Sequence, residues 1–125
     1  MGQATPPERP LVLVVEDEPL QRLMAVDLVE DAGFDAVEAA SAEDAVRILE
    51  GRSDVRVVFT DIDMPGGMDG MKLAAAIRDR WPPIELIIVS GRREPRLEEI
   101  PARGLFFLKP YKRHEIMDAM RRMAG

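Results

Sequence analysis

The strongest constraint on this chain is a regular alternation between short apolar runs and longer helical stripes. The first run, Leu11–Val15, contains only leucine and valine, as in a parallel strand that is covered on both faces. Further predicted strands span Phe34–Ala39, Val55–Thr60, Ile84–Val89 and Leu105–Leu108. Because strand and helix alternate throughout, the sequence predicts an α/β fold, with a parallel sheet and helices on both of its faces.

The predicted helices have recognisable ends and apolar stripes. Pro19 suits the first turn of a helix that Gly33 can end, and Ser41 can cap the next helix. The stripes that we expect to face the sheet are Leu20, Leu23, Met24 and Leu28; Ala42, Ala45, Val46 and Leu49; Leu73, Ala74, Ile77 and Trp81; and Ile116, Ala119, Met120 and Met123.

Composition restricts the classes of function. Asp and Glu number 23 against 17 Lys and Arg, and the net charge of −6 argues against partners such as nucleic acid or an anionic membrane. Without cysteine and with a single histidine, the chain cannot form disulfides, Cys-based zinc sites or His-rich metal centres. Residues 1–10 read as a flexible leader rather than a signal peptide, and no apolar run is long enough to span a membrane. We therefore expect a cytoplasmic protein.

Chemically active side chains stand directly after the predicted strands. They are Glu16 and Asp17 after the first strand, Asp61 and Asp63 after the third, Ser90 after the fourth and Lys109 after the fifth. Ligand sites in parallel sheets lie beyond the carboxyl ends of the strands, so we expect these side chains to converge. Crowded carboxylates favour a cation such as Mg²⁺, which prefers oxygen ligands. A carboxylate nucleophile with Mg²⁺ and a lysine is suited to phosphoryl transfer.

Four segments in this order resemble the CheY-like receiver domains of bacterial two-component response regulators. They are Val14–Pro19, Phe59–Pro65 with Met68–Gly70 following, Ile88–Gly91, and Phe106–Pro110. The resemblance covers residues 11–124 as one receiver domain of the stand-alone, single-domain type. It implies a flavodoxin-like (βα)5 doubly wound parallel sheet with strand order 2-1-3-4-5. We expect a shortened or irregular fourth helix around residues 96–100, because prolines on both sides leave room for barely a turn or two.

The resemblance also implies how the acidic residues act. Asp61 matches the phosphoacceptor of the family. Asp17 matches the direct Mg²⁺ ligand, and Glu16 matches a partner that usually binds the metal through water. The backbone carbonyl of Asp63 takes the position of a further metal ligand. Asp61 also belongs to the predicted metal ligands, and together these residues imply Mg²⁺ as the cofactor of a phosphorylation site.

The remaining matches concern the phosphoryl group and the switch. Ser90 matches the hydroxyl that moves toward the phosphoryl group, and Lys109 matches the family's lysine, with a cis Lys109–Pro110 peptide bond. Phe106 matches the rotating aromatic residue that reports phosphorylation. Independently of the resemblance, Asp63 and Arg92 each lie two positions beyond a site residue. We expect them to form an exposed ion pair at the mouth of the pocket that hinders the hydrolytic water.

Three functions fit this pattern. The first is a signalling domain that is not an enzyme but assists its own phosphorylation and dephosphorylation. It would receive its phosphoryl group from a sensor histidine kinase or a histidine phosphotransfer protein. It would signal, as a monomer or weak dimer, to an unknown downstream protein or through a phosphorelay. The second is an aspartate-nucleophile phosphohydrolase-like enzyme, because Asp61-x-Asp63 resembles the nucleophile and acid pair of such enzymes. Those enzymes, however, usually carry this motif on their first strand. The third is a scaffold that works without phosphorylation.

Overall fold

A computed structural model of the chain describes residues 9–63, 70–92 and 97–124. These residues form one sheet of parallel strands in the order β2-β1-β3-β4-β5. The strands are β1 (Leu11–Val15), β2 (Asp35–Ala39), β3 (Val55–Asp61), β4 (Glu85–Ser90) and β5 (Gly104–Leu108). The predicted flavodoxin-like topology is confirmed. Most of the predicted leader lies outside the described residues.

The helices of the described residues are α1 (Pro19–Asp31), α2 (Ala42–Gly51), α3 (Gly70–Arg80) and α4 (Arg113–Ala124). Ser41 caps α2 as predicted, because its hydroxyl accepts a hydrogen bond from the Asp44 N–H at 3.1 Å. Glu18 caps α1 by accepting from the N–H groups of Leu20 and Gln21. None of these helices is long and apolar enough to cross a bilayer.

Two apolar layers cover the two faces of the sheet. Alternate residues of β1 divide between them, with Leu13 in the layer under α2 and α3 and Val12 in the layer under α1 and α4. Both residues are fully buried, as are Ile77 of α3 and Ile116 of α4. Because both faces are covered, the strands are held firmly and the polar residues at their carboxyl ends have defined positions.

The predicted stripe of α1 is wrong in its orientation. Leu20, Leu23 and Met24 are 62%, 63% and 59% exposed, whereas Leu28 of the same stripe is buried with Ala25. Ala25 faces the sheet in place of the larger side chains. The helix carries more apolar residues than one face can bury, and periodicity alone does not say which of them the sheet covers.

The connection between β4 and β5 contains a short 3₁₀ turn, Leu97–Glu99, within its described part. This agrees with the predicted shortened or irregular fourth helix. Arg78 of α3 braces the region, since its guanidinium donates to the carbonyl oxygens of Pro82, Ile84 and Ala102 at 2.7, 2.8 and 2.7 Å. An arginine side chain therefore ties α3 to the starts of β4 and β5.

Candidate functional site

The predicted site residues meet at the carboxyl edge of the sheet. Glu16 directly follows β1, Asp61 and Ser90 end β3 and β4, and Lys109 directly follows β5. Glu16, Asp61 and Ser90 are buried although they are polar. Parallel pairing between neighbouring strands aligns these ends, with Thr60 opposite Val15 and Leu108 opposite Ser90. The pocket that results has two sides, which meet at Asp61.

We call the first side the lysine side; it consists of Glu16, Gln21, Asp61 and Lys109. The Lys109 ammonium donates to Asp61 Oδ2 at 2.6 Å and lies 3.5 Å from Glu16 Oε1. It also donates to the amide oxygen of Gln21 at 2.7 Å. The Lys109–Pro110 peptide bond is cis, as the sequence resemblance implied. One cation therefore joins two buried carboxylates to the first helix.

Burial and charge shift the pKa values on the lysine side. Burial raises the pKa of Glu16 from 4.5 to about 7, helped by a hydrogen bond to the neighbouring Asp61 carboxyl. The Glu18 N–H and Lys109 oppose that rise. Burial lowers the pKa of Lys109, but its hydrogen bond and ion pair with Asp61 outweigh this effect, so the pKa is raised. Lys109 stays charged, and Glu16 can hold a proton when no other cation is near.

We call the second side the serine side; it consists of Asp63, Ser90 and Gly91. The Ser90 hydroxyl donates to the Asp63 carboxylate, with Oγ 2.8 and 3.0 Å from its two oxygens. The Gly91 N–H donates to Asp63 Oδ2 at 2.8 Å. The Asp63 N–H in turn donates to Asp61 Oδ1 at 2.7 Å, which links the two sides of the pocket.

The expected ion pair between Asp63 and Arg92 is absent, although both residues belong to the described part of the chain. The Asp63 carboxylate turns inward and accepts hydrogen bonds from Ser90 and Gly91 instead. Arg92 contributes its backbone N–H, which donates to Ser90 Oγ at 3.1 Å. The predicted ion pair is therefore wrong, whereas an effect of Asp63 and Arg92 on the hydrolytic water stays a prediction.

The acidic residues fit Mg²⁺ by the chemistry of their donors. Within residues 9–63, 70–92 and 97–124, no three His, Asp or Glu side chains are grouped closely enough to hold a metal ion. Mg²⁺ does not require such a group, because it binds one or two carboxylates and keeps several waters. Glu16 and Asp61 crowd two buried carboxyl groups together, and a cation would relieve their repulsion. Asp17, the predicted direct ligand, is half-buried and directly follows Glu16 in the chain.

A largely apolar cleft of about 440 Å³ leads to Asp61 between α1 and the segment that follows β5. Met24 and Ala25 line it from α1, and Tyr111 lines the opposite wall, where its ring and the Phe59 ring meet in a T-shaped arrangement with 6.0 Å between ring centroids. Phe106, the predicted switch residue, is half-buried on the other face of the sheet, against the layer under α2 and α3.

Sequence reasoning missed three contributors. Gln21 binds Lys109 from the first turn of α1, and Tyr111 lines the cleft. Gly70 begins α3 where a Cβ atom would lie 2.5 Å from both the Asp61 carbonyl oxygen and the Ile62 Cα, so only glycine fits there. Gly70 could have been found from the sequence, because a glycine stands at the start of a predicted helix shortly after Asp61 in the chain. The first two depend on side-chain packing.

Comparisons with known proteins agree with this fold. Residues 12–121 match the family model for the response regulator receiver domain. The chain is 35% identical over 116 residues to the sensor kinase CckA of Brucella abortus and 33% identical over 116 residues to the response regulator FleR of Pseudomonas aeruginosa. Each alignment covers 90% of this chain but only 12% and 24% of those proteins. The chain thus spans a small part of these longer relatives.

Solved structures show the same architecture. A response regulator receiver protein from Pseudomonas putida superposes with a TM-score of 0.80 and 29% identity, covering 93% of this chain and 98% of that one. The receiver domain of the hybrid histidine kinase CckA gives a TM-score of 0.76 and 25% identity, covering 92% and 99%. The five-stranded parallel sheet and the family match together define the class. The chain belongs to the response regulator receiver domains, CheY-like signalling domains of two-component systems.

Proposed function

We propose that this receiver domain accepts a phosphoryl group on Asp61 in a Mg²⁺-dependent reaction. The observation that supports this most strongly is the buried Asp61 carboxylate, held 2.6 Å from the Lys109 ammonium at the end of the cleft. A carboxylate in such a position is an available nucleophile, and the lysine can balance the charge of an incoming phosphoryl oxygen.

The transfer joins a carboxylate oxygen of Asp61 to phosphorus. With a phosphohistidine donor, the P–N bond breaks, its electron pair stays on the imidazole nitrogen, and that nitrogen takes up a proton from solvent. When bound by Glu16, Asp17 and the Asp63 carbonyl, Mg²⁺ would supply positive charge beside the phosphoryl oxygens. The Lys109 ammonium, which pairs with Asp61 at rest, would then pair with an oxygen of the phosphoryl group. The apolar walls of the cleft would limit the access of water.

We further propose that the donor is a histidine kinase or histidine phosphotransfer protein and that it docks on α1. Leu20, Leu23 and Met24 are exposed apolar side chains of one helix, and Met24 also lines the cleft. Exposed apolar surface of this kind marks protein contacts, and a donor seated there would face Asp61. Replacement of Leu23 by serine should slow transfer from a phosphorylated donor protein about tenfold and leave transfer from acetyl phosphate unchanged. An unchanged rate of transfer from the donor protein to Leu23→Ser would contradict this docking surface.

The proposed phosphorylation is tested by incubating the protein with acetyl phosphate and Mg²⁺. Intact-mass spectrometry should show the gain of one phosphoryl group, and Asp61→Asn should abolish it because an amide is not a nucleophile of this kind. Asp79→Asn, in the last turn of α3, removes the same charge from an exposed position and should leave the gain intact. Absence of labelling by several small donors, or labelling that persists in Asp61→Asn, would refute the proposal. Repeated turnover of a phosphate monoester would favour the phosphohydrolase alternative.

A further inference from the structure

The Asp63 side chain occupies both hydrogen-bond donors that the serine side offers. Its carboxylate accepts from the Ser90 hydroxyl at 2.8 Å and from the Gly91 N–H at 2.8 Å. Ser90 Oγ also accepts from the Arg92 N–H, so the hydroxyl proton points toward Asp63. An anionic group with two oxygens thus satisfies the donors next to the nucleophile. A phosphoryl group on Asp61 would present the same chemistry to them.

We propose that the Asp63 carboxylate competes with the phosphoryl group for Ser90 and Gly91. Asp63 must release these two donors before they can bind the phosphoryl oxygens. This inference rests on the proposed phosphorylation of Asp61. Asp63 is then a positioning residue that acts through Ser90. It holds the serine side in its resting arrangement until a stronger anion replaces it.

Geometry and charge both favour the displacement of the Asp63 carboxylate. The Asp63 N–H donates to Asp61 Oδ1 at 2.7 Å, and the Asp63 carboxylate accepts from Ser90 and Gly91 at the end of the neighbouring strand β4, so both carboxyl groups lie in one pocket. A phosphoryl group bound to Asp61 brings additional negative charge next to Asp63, and like charges at short range repel. The Ser90 hydroxyl has one proton to donate, so it cannot serve both anions. Either Asp63 moves out, or the phosphoryl oxygens go without these donors.

Trifluoroberyllate, a phosphoryl analogue formed from beryllium and fluoride, measures this competition without covalent chemistry. Its affinity is determined by NMR titration at a Mg²⁺ concentration that saturates each variant. Asp63→Ala removes the competing carboxylate from Ser90 and Gly91 and should bind the analogue about tenfold more tightly, which corresponds to ~1.4 kcal/mol. Asp63→Asn keeps one acceptor oxygen but loses the charge, and it should show a smaller gain. Asp79→Ala removes an exposed charge from α3 and controls for the change in net charge.

The resting variants provide a second readout. The Gly91 amide resonance of Asp63→Ala should shift in the absence of the analogue, because its N–H loses an anionic acceptor, and should return toward the parent position when the analogue supplies another. Unchanged or weaker analogue binding by Asp63→Asn and by folded Asp63→Ala would overturn the proposal. If no protein, including the parent, binds the analogue in the presence of Mg²⁺, the phosphorylation site itself is wrong. The two failures are therefore distinguishable.

Discussion

The two sides of the pocket are held together by different kinds of contact. On the lysine side, one ammonium bridges two buried carboxylates, and the charges involved come from the ends of β1, β3 and β5. On the serine side, a half-buried carboxylate accepts hydrogen bonds from the end of β4, the hydroxyl of Ser90 and the amide of Gly91. The lysine side combines opposite charges, whereas the serine side places an anion where a second anion is expected to bind.

This difference suggests a division of labour. Pairing of opposite charges prepares the lysine side for the nucleophile and its counter-charge before any donor arrives. The serine side is already satisfied by Asp63, so it can respond only when that contact breaks. Changes on the lysine side should therefore affect transfer, and changes on the serine side should affect the consequence of transfer.

The largest expected effect comes from the backbone that both sides share. Gly70→Ala places a methyl group 2.5 Å from the Asp61 carbonyl oxygen and the Ile62 Cα, which cannot move without displacing the end of β3. We expect a loss of about 3 kcal/mol or more in the free energy of unfolding, measured by urea denaturation. Gly51→Ala, where nothing lies within 4 Å of the new Cβ, should be neutral or slightly stabilising. Equal stability of the two variants would contradict the close approach at Gly70.

Removal of the Lys109 charge should affect the lysine side alone. Lys109→Met should slow phosphorylation by acetyl phosphate about 100-fold, because a charged donor aimed at the transferring group is lost from a buried site. The amide resonance of Gly91 should move little, since its N–H donates to Asp63 Oδ2 on the serine side. Lys112→Met changes an exposed lysine nearby and serves as the control. A large shift of the Gly91 resonance in Lys109→Met would show that the two sides are not separable.

The sequence predicted the lysine side more completely than the serine side, and the reason is physical. Strand ends are determined by apolar runs, so the meeting of Asp61 and Lys109 followed from parallel topology. The contact between Asp63 and Ser90 depends on one side-chain rotamer, and the same spacing was compatible with an outward pair to Arg92. The prediction of which face of α1 is buried was wrong for a similar reason. Its apolar residues exceed what one face can bury, and only packing decides which are exposed.

The next effect is a pH dependence of the free energy of unfolding, which arises on the lysine side because the pKa of Glu16 is strongly raised there. Glu16 has a pKa of about 7 in the folded protein against an ordinary value of 4.5. Between these values the folded protein holds a proton that the unfolded chain has released. The stability from this proton is therefore fully present below pH 4.5 and is lost as the pH rises through about 7.

Urea unfolding without Mg²⁺ measures this loss. The difference in unfolding free energy between the parent protein and Glu16→Gln should change by on the order of 2 kcal/mol across this pH range, with the parent losing stability as the pH rises. Glu43→Gln, an exposed glutamate in the first turn of α2, is the matched control. Parallel pH profiles of the parent and Glu16→Gln would contradict the raised pKa.

The smallest expected effect is at the rim of the lysine side, where Gln21 accepts a hydrogen bond from Lys109 at 2.7 Å. This contact is exposed, so its net contribution should be below ~1 kcal/mol. Gln21→Leu should slow phosphorylation by acetyl phosphate about threefold, which corresponds to roughly 0.7 kcal/mol. The stability of the fold should be unchanged, because Gln21 is exposed on α1.

Gln21→Glu tests whether the hydrogen bond from Lys109 is what matters at this position, because glutamate keeps an acceptor oxygen at the same distance from the backbone. If Gln21 orients the Lys109 ammonium, Gln21→Glu should retain more of the parent rate than Gln21→Leu. Equal slowing by both changes would mean that the amide does something other than accept this hydrogen bond. No slowing in either would show that Asp61 and Glu16 alone position Lys109, and that the lysine side needs nothing from α1.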